Sequence, residues 1–256
     1  YGRALQQSAL KNWGKNISDT LNTQKIFNHR SKMNGLSTSA KWSSELEKEI
    51  TVWKLKRYIY LISPQNIKGS KFYSQLDQVL KSKKIKYFQL RLKKISTLNL
   101  IKIARKVKKI TKKNKVKLLI NDNPFVAKLI KADGCHIGQK DMNFISSRKI
   151  LGRKKIIGIT CHNSKKLAIK AKNLGANYIA FGSFFKSSTK KTTFKANLTI
   201  LRWAKKKINM PVVAIGGIND SNYKKILLNG ANYIACSAYV WNNKKLDPVS
   251  AIKKFR

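Results

Sequence analysis

The 256-residue chain is long enough for one large domain or for a domain with an extension, and its 42% hydrophobic and 9% aromatic content suits a globular core. No stretch approaches the roughly 18 to 20 uninterrupted apolar residues of a membrane span, so the sequence predicts no membrane insertion. Lys and Arg number 56 against 10 Asp and Glu, a formal net charge of +46. The lysines are spread along almost every helical segment rather than gathered in one arm. That spread points to compositional drift and away from nucleic acid as the principal ligand, although the field still favours anionic substrates.

In chain order, residues 1 to about 38 are rich in Asn, Ser, Lys and Gln and show no sustained period. The first residue is Tyr1, which suggests a fragment, a processed end or an extended reading frame, and the opening has no long apolar core of the signal-peptide kind. Trp42, Leu46, Ile50 and Trp53 recur at helical spacing behind Ser39, a candidate N-cap, so one amphipathic helix is expected over about 40–54. Residues 1–56 are therefore read as a loose, partly disordered extension, and 57–256 as the catalytic domain.

From residue 57 the pattern becomes regular. Short β-rich runs fall at 58–62, 87–92, 116–120, 134–137, 156–160, 178–181, 212–215 and 233–236, with segments of helical period between them. Eight strand–helix units in about 200 residues predict an α/β fold, a (β/α)8 TIM barrel. A doubly wound open sheet is the alternative, but no GxGxxG follows the first strand. The string Gly-Ala-Asn-Tyr-Ile-Ala occurs twice, at 175–180 and 230–235, each time closing a helix on Gly and opening a strand. Cys135, Cys161 and Cys236 lie in predicted buried strands with no metal-ligand spacing, which suits a reducing cytosol and a cytoplasmic protein.

In such a barrel the chemistry sits at the C-terminal ends of the strands. Alternation along 87–92 puts Gln89, Arg91 and Lys93 on one face, expected to point inward near the mouth with an anion between the cations. Strand three ends in Asn121-Asp122 and strand four runs into His136-Ile137-Gly138-Gln139-Lys140-Asp141. Two carboxylates at adjacent strand ends suit a hard, oxygen-ligated cation, although each could instead cap the helix that follows it. Cys135-His136 and Cys161-His162 cannot act as internal dyads, because neighbours on a strand face opposite sides. The hydroxyl-rich run Ser187-Ser188-Thr189-Lys190, the Gly216-Gly217 pair and Cys236-Ser237 are candidate phosphate contacts after strands six, seven and eight.

Together these residues resemble the thiamine phosphate synthase family over essentially all of 57–256. The motifs are Gln89-x-Arg91-x-Lys93, Leu119-Ile120-Asn121-Asp122, Ala132-Asp133-Gly134-x-His136-x-Gly138-Gln139-x-Asp141, Gly158-Ile159-Thr160-x-His162, Ser187-x-Thr189-Lys190, Val213-Ala214-Ile215-Gly216-Gly217-Ile218 and Ser237-Ala238. The resemblance implies a transferase that joins 4-amino-5-hydroxymethylpyrimidine diphosphate to thiazole phosphate and releases pyrophosphate. It implies that Gln89, Arg91, Lys93, Asn121 and Lys190 hold the pyrimidine diphosphate, with Arg91, Lys93 and Lys190 catalytic. Asp122 and Asp141 would hold Mg2+, and Thr160 would contact the pyrimidine side. Ser187, Ser188 and Thr189 would contact the thiazole, and Gly217, Cys236 and Ser237 would cradle its phosphate. The family's reaction is dissociative, with the bond to pyrophosphate breaking before the thiazole nitrogen attacks. This chain has Thr160 where Ser is usual, Ser183 and Lys186 where prolines are common, and Ser187 where Thr is usual. Two other readings stand beside this one: a thiazole tautomerase-like isomerase on the same barrel, and a non-catalytic homologue binding nucleic acid. Association into a homo-oligomer is left open.

Overall fold

A computed structural model describes residues 58–67, 69–186 and 194–255. The expected extension over 1–56, with its helix at about 40–54, lies outside the described residues. Strands β1 (Ile59–Ile62), β2 (Ile85–Leu90), β3 (Lys117–Asn121), β4 (Gly134–Ile137), β5 (Ile156–His162), β6 (Tyr178–Gly182), β7 (Val212–Ile215) and β8 (Tyr233–Cys236) form a closed, all-parallel barrel. Helices α1 (Lys71–Leu80), α2 (Thr97–Lys113), α3 (Pro124–Leu129), α4 (Phe144–Leu151), α5 (Lys165–Asn173), α6 (Leu198–Lys207), α7 (Tyr223–Leu228), α8 (Ala238–Trp241) and α9 (Pro248–Lys254) follow in turn. Closure comes from β8 pairing with β1, Ile59 opposite Ile234 and Leu61 opposite Cys236. The Tyr58 hydroxyl donates to the carbonyl of Phe255 at 3.0 Å, tying the end of α9 to the start of β1.

The helices form because each presents one apolar stripe to the barrel wall. In α1 the buried residues are Phe72, Leu76, Val79 and Leu80, and in α2 they are Leu100, Ala104, Val107 and Thr111, spaced by three and four. Ser96 starts α2 by accepting a hydrogen bond from the Asn99 amide. Among the described residues no helix is long and apolar enough to cross a membrane.

The repeated Gly-Ala-Asn-Tyr-Ile-Ala string has a structural reason beyond the end of a helix. Asn177 Oδ1 accepts from the Ile157 amide and Asn232 Oδ1 from the Val212 amide, each at 2.8 Å. Asp133, in the corresponding Ala-Asp-Gly, accepts from the Leu118 amide at 2.9 Å. Each side chain satisfies the first free N–H of the preceding strand, a donor that parallel pairing leaves open at the barrel floor.

Strand β2 departs from expectation. It ends at Leu90, whose last partner is Ile120, so Arg91 and Lys93 stand in the loop above it and not on the strand. Strand alternation therefore places Gln89 inside but says nothing about the two cations. Arg91 is half-buried and Lys93 exposed, so solvent supplies the screening that two buried cations would have lacked.

Inside the barrel, Tyr60, Ile62, Leu119, Tyr178, Ala180, Val213 and Ala235 form one cluster, with Tyr87, Ile156, Ile215 and Tyr233 packed against it. Gly158 makes room for it. A Cβ there would lie 1.8 Å from the Tyr178 ring. Gly158→Ala should therefore displace Tyr178 and cost about 2 kcal/mol or more, read as a lower denaturation midpoint with an unchanged m-value.

Candidate active site

Strand parity brings Gln89, Asn121, His136 and Thr160 to the inside of the barrel near its C-terminal mouth. Gln89, only 3% exposed, donates from Nε2 to Asn121 Oδ1 at 2.6 Å. Asn121 donates in turn to Asp122 Oδ2. A continuous polar run thus leads from the barrel wall to a carboxylate at the rim.

Both helix-capping alternatives for the aspartates are excluded by their neighbours. Asn123 caps α3, accepting from Val126, and Asn143 caps α4, accepting from Ser146. Asp122 adopts φ +60°, which turns it off the end of β3. Asp141 Oδ2 accepts from the Gly138 amide at 2.8 Å, and a Cβ on Gly138 would approach that oxygen to 2.6 Å. The Gly-Gln-x-Asp spacing is thus a steric requirement for bringing the carboxylate back over its own loop. Gln139 fixes the same loop by donating to the Thr160 carbonyl.

The two carboxyl groups meet. Burial, and then the Asp141 carboxylate within hydrogen-bonding reach, hold the Asp122 carboxyl well above the usual carboxylate range; Lys93 and Asn121 act in the opposite direction. Arg91 and Asp141 both act on His136 as well, whose ring burial pushes down to about 4, so it is neutral at pH 7. Arg91, Lys93, Asp122, Asp141 and His136 therefore converge at one end of the barrel. Among the described residues no group of three or more His, Cys, Asp or Glu side chains is arranged for a metal ion. The Asp122–Asp141 pair with the Asn121 amide is the oxygen-rich place where a divalent cation would relieve repulsion.

At the end of β1, beside the Arg91 loop, stands Ser63, which was not singled out from the sequence. It is 2% exposed. Its hydroxyl accepts from the Arg91 amide at 3.0 Å and donates to the Arg91 carbonyl at 3.2 Å, while Ser237 Oγ donates to the Ser63 carbonyl at 3.0 Å. One buried serine thus holds both the Arg91 loop and the loop after β8. Ser237 opens the short helix α8. The Cys236 side chain is buried on the outward face of β8, with its thiol pushed up to about 12 by burial. Its backbone, and not its thiol, is therefore what Cys236 can offer to the mouth. Gly217 adopts φ +61°, and beside it the amides of Phe184 and Phe185 donate to the carbonyls of Ile215 and Gly216. Ser187, Ser188, Thr189 and Lys190 lie outside the described residues. The chain on either side is anchored, because Ser183 exchanges backbone hydrogen bonds with Phe194 and Ala196, and Phe194 stacks on His162 at 4.1 Å.

The sequence reading also missed a run of hydroxyls inside the barrel. Tyr60 and Tyr178 hydroxyls lie 2.8 Å apart, Tyr178 lies 2.8 Å from His136 Nδ1, and His136 Nε2 lies 2.8 Å from Thr160 Oγ1. The signal was available in the inward parity of Tyr60, Tyr87, Tyr178 and Tyr233, aromatic at four positions that barrels usually fill with aliphatic side chains.

The contact between Asp122 and Asp141 makes a testable statement about stability. A carboxyl whose folded pKa exceeds its unfolded value binds more protons in the fold, so stability falls as pH rises from about 4 upward. In chelator at pH 7, Asp122→Asn should melt higher than the wild type, by an amount on the order of 1 kcal/mol after screening. The difference should close as pH approaches 4, as followed by circular dichroism melts across that range.

Residues 59–240 match the family model described as thiamine monophosphate synthase. The thiamine-phosphate synthase of Pelagibacter ubique (strain HTCC1062) is 57% identical over 201 residues, covering 78% of this chain and 97% of that protein. That of Erythrobacter litoralis (strain HTCC2594) is 36% identical over 197 residues, covering 75% and 92%. Among solved structures, thiamine phosphate pyrophosphorylase from Pyrococcus furiosus superposes with a TM-score of 0.70 at 26% identity, over 80% of this chain and 96% of that one. Residues 1–60 match a second family model, described as fructose-bisphosphate aldolase class-I. Through its barrel, the chain belongs to the thiamine monophosphate synthase family.

Proposed function

We propose that this chain condenses 4-amino-5-hydroxymethylpyrimidine diphosphate with thiazole phosphate, giving thiamine phosphate and pyrophosphate. The observation that carries this reading is the contact between Asp122 and Asp141 at a mouth that also receives Arg91 and Lys93. Two adjoining carboxylates are a liability for a fold unless a cation sits with them. Adjacent cations at the same rim suit the rest of a diphosphate.

Asp122 and Asp141 would hold Mg2+, with Asn121 orienting Asp122. When bound, the ion would neutralise charge on a diphosphate leaving group. Arg91 and Lys93, with Lys190 from the family's pattern, would hold the same diphosphate. Because leaving-group negative charge grows as the carbon–oxygen bond breaks, fixed cations stabilise the transition state more than the ground state. Gln89, locked on Asn121, would present its remaining polar atoms to the pyrimidine. Gly217 and the backbone at Cys236 and Ser237, with Ser187, Ser188 and Thr189, would receive the thiazole phosphate. No protein nucleophile is required, which agrees with three cysteines that are all buried. Those unpaired thiols also support placing the protein in the reducing cytoplasm. Exposed Phe125, Leu129 and Ile145 on neighbouring helices support self-association, so the reading includes a homo-oligomer.

Incubation with both heterocycles and Mg2+, with thiamine phosphate and pyrophosphate quantified, tests the assignment. Wild-type turnover should vanish in chelator. Arg91→Ala should lower kcat/KM about 10²-fold or more, and Asp122→Ala by at least as much. An isomerase acting on the thiazole alone would be indifferent to Asp122 and would release no pyrophosphate. Mg2+ should raise the melting temperature of the wild type but not of Asp122→Asn, a readout independent of turnover.

A further inference from the structure

The hydrogen-bonded series Tyr60–Tyr178–His136–Thr160 has a direction, and its buried end sets it. Tyr60 is 2% exposed, and among the described residues its hydroxyl has one hydrogen-bond partner, the Tyr178 hydroxyl. Tyr178 is 1% exposed and has two partners, Tyr60 and His136 Nδ1. Each hydroxyl has one proton to give and lone pairs to receive.

Suppose first that His136 carried a proton on Nδ1. It would donate to Tyr178, Tyr178 would donate to Tyr60, and the Tyr60 proton would be left inside the barrel with no acceptor. An unsatisfied buried donor is strongly disfavoured, because the group gives up its hydrogen bond to water and gains none in return. The same objection meets the doubly protonated ring, because it too donates from Nδ1. In the remaining order Tyr60 donates to Tyr178, Tyr178 donates to Nδ1, and Nε2–H donates to Thr160 Oγ1. Every buried proton then has an acceptor.

We infer that Tyr60 and Tyr178 are positioning residues that hold His136 as its Nε2–H tautomer and thereby make Thr160 a hydrogen-bond donor to the substrate. Thr160 Oγ1 accepts from the imidazole, and among the described residues it has no other partner, so its own proton is directed to the mouth. Thr160 stands inside the barrel toward the C-terminal end of β5, and its carbonyl is held by Gln139 from the Asp141 loop. The ligand atom it meets is therefore an acceptor, a ring nitrogen or a phosphoryl oxygen, and not an amino group. The floor of the barrel thus determines the polarity of a contact at its mouth, about three hydrogen bonds away. The substrate-facing half of this inference rests on the synthase reading; the tautomer does not.

Long-range 1H–15N correlation spectra of the ligand-free, 15N-histidine-labelled full chain test the tautomer directly. His29, His136 and His162 are distinguished by His136→Gln and His162→Gln. His136 should give the Nε2–H pattern in the wild type and in Tyr60→Phe, where Tyr178 still needs Nδ1 as its acceptor. In Tyr178→Phe the Nδ1 resonance should move to that of a nitrogen accepting no hydrogen bond. An Nδ1–H or imidazolium pattern in the wild type, or a switch to Nδ1–H in Tyr60→Phe, overturns the inference. Should Tyr178→Phe fail to fold, the wild-type and Tyr60→Phe spectra still decide. In the synthase assay, Thr160→Val should lose roughly 10-fold in kcat/KM and Thr160→Ser should recover it. Equal activity of Thr160→Val and Thr160→Ser removes the donor role. Absence of synthase activity in the wild type, with the Nε2–H pattern present, overturns the function proposed above and leaves the tautomer standing.

Discussion

Pairing of β8 with β1 closes the ladder, and with closure every strand acquires an inside and an outside. In an open sheet, Gln89, Asn121, His136 and Thr160 would lie on one face of separate strands with nothing opposite them. In the closed barrel the same parity aims all four at a common axis, and their strand-end positions lift them toward one rim. The interior below them is filled by tyrosines as well as aliphatic side chains, and that choice has consequences. A tyrosine ring packs like a large apolar group, but its hydroxyl must find a partner when buried. Tyr60 and Tyr178 find each other, and then His136.

The rim is built against electrostatic preference. Asp122 and Asp141 approach closely enough to hold one of them protonated more readily than an exposed carboxylate would be. The surroundings make that approach unavoidable, because Asn123 and Asn143 occupy the capping positions, Gly138 admits Asp141 over its own loop, and Asn121 fixes Asp122. Local conflict of this kind, in a chain otherwise short of acids, is expected where binding a cation supplies the compensation. The excess of lysine elsewhere gives an attractive background for anionic ligands, and Arg91 and Lys93 add cations beside the same rim. Ser63 ties the Arg91 loop to the loop after β8 by hydrogen bonds to both.

Hydrophobic periodicity carried the architecture. Eight β-rich runs and their intervening helical stripes were legible because burial on both faces of a parallel sheet, and on one face of each helix, constrains residue type at almost every position. Strand ends were less legible, and there the site reading slipped. Arg91 and Lys93 alternate correctly with Gln89, yet hydrogen bonding to β3 stops at Leu90, and alternation has no force beyond the last paired residue. At Cys236 the ladder does hold, and parity sends the thiol outward while the backbone runs on into the loop after β8. Parity likewise contained the inward tyrosines, but nothing in a linear string says that residues 60, 136, 160 and 178 lie within hydrogen-bonding distance.

From the chain alone came the barrel, the order of its elements and the residue types at each strand end, since these follow from short-range pattern and local chemistry. Which carboxylates touch, which asparagines cap, and which way the protons run from Tyr60 to Thr160 were decided only on folding. Those are properties of pairs far apart in sequence, and their energies depend on distance, exclusion of water and the number of available partners, none of which exists until the ladder closes.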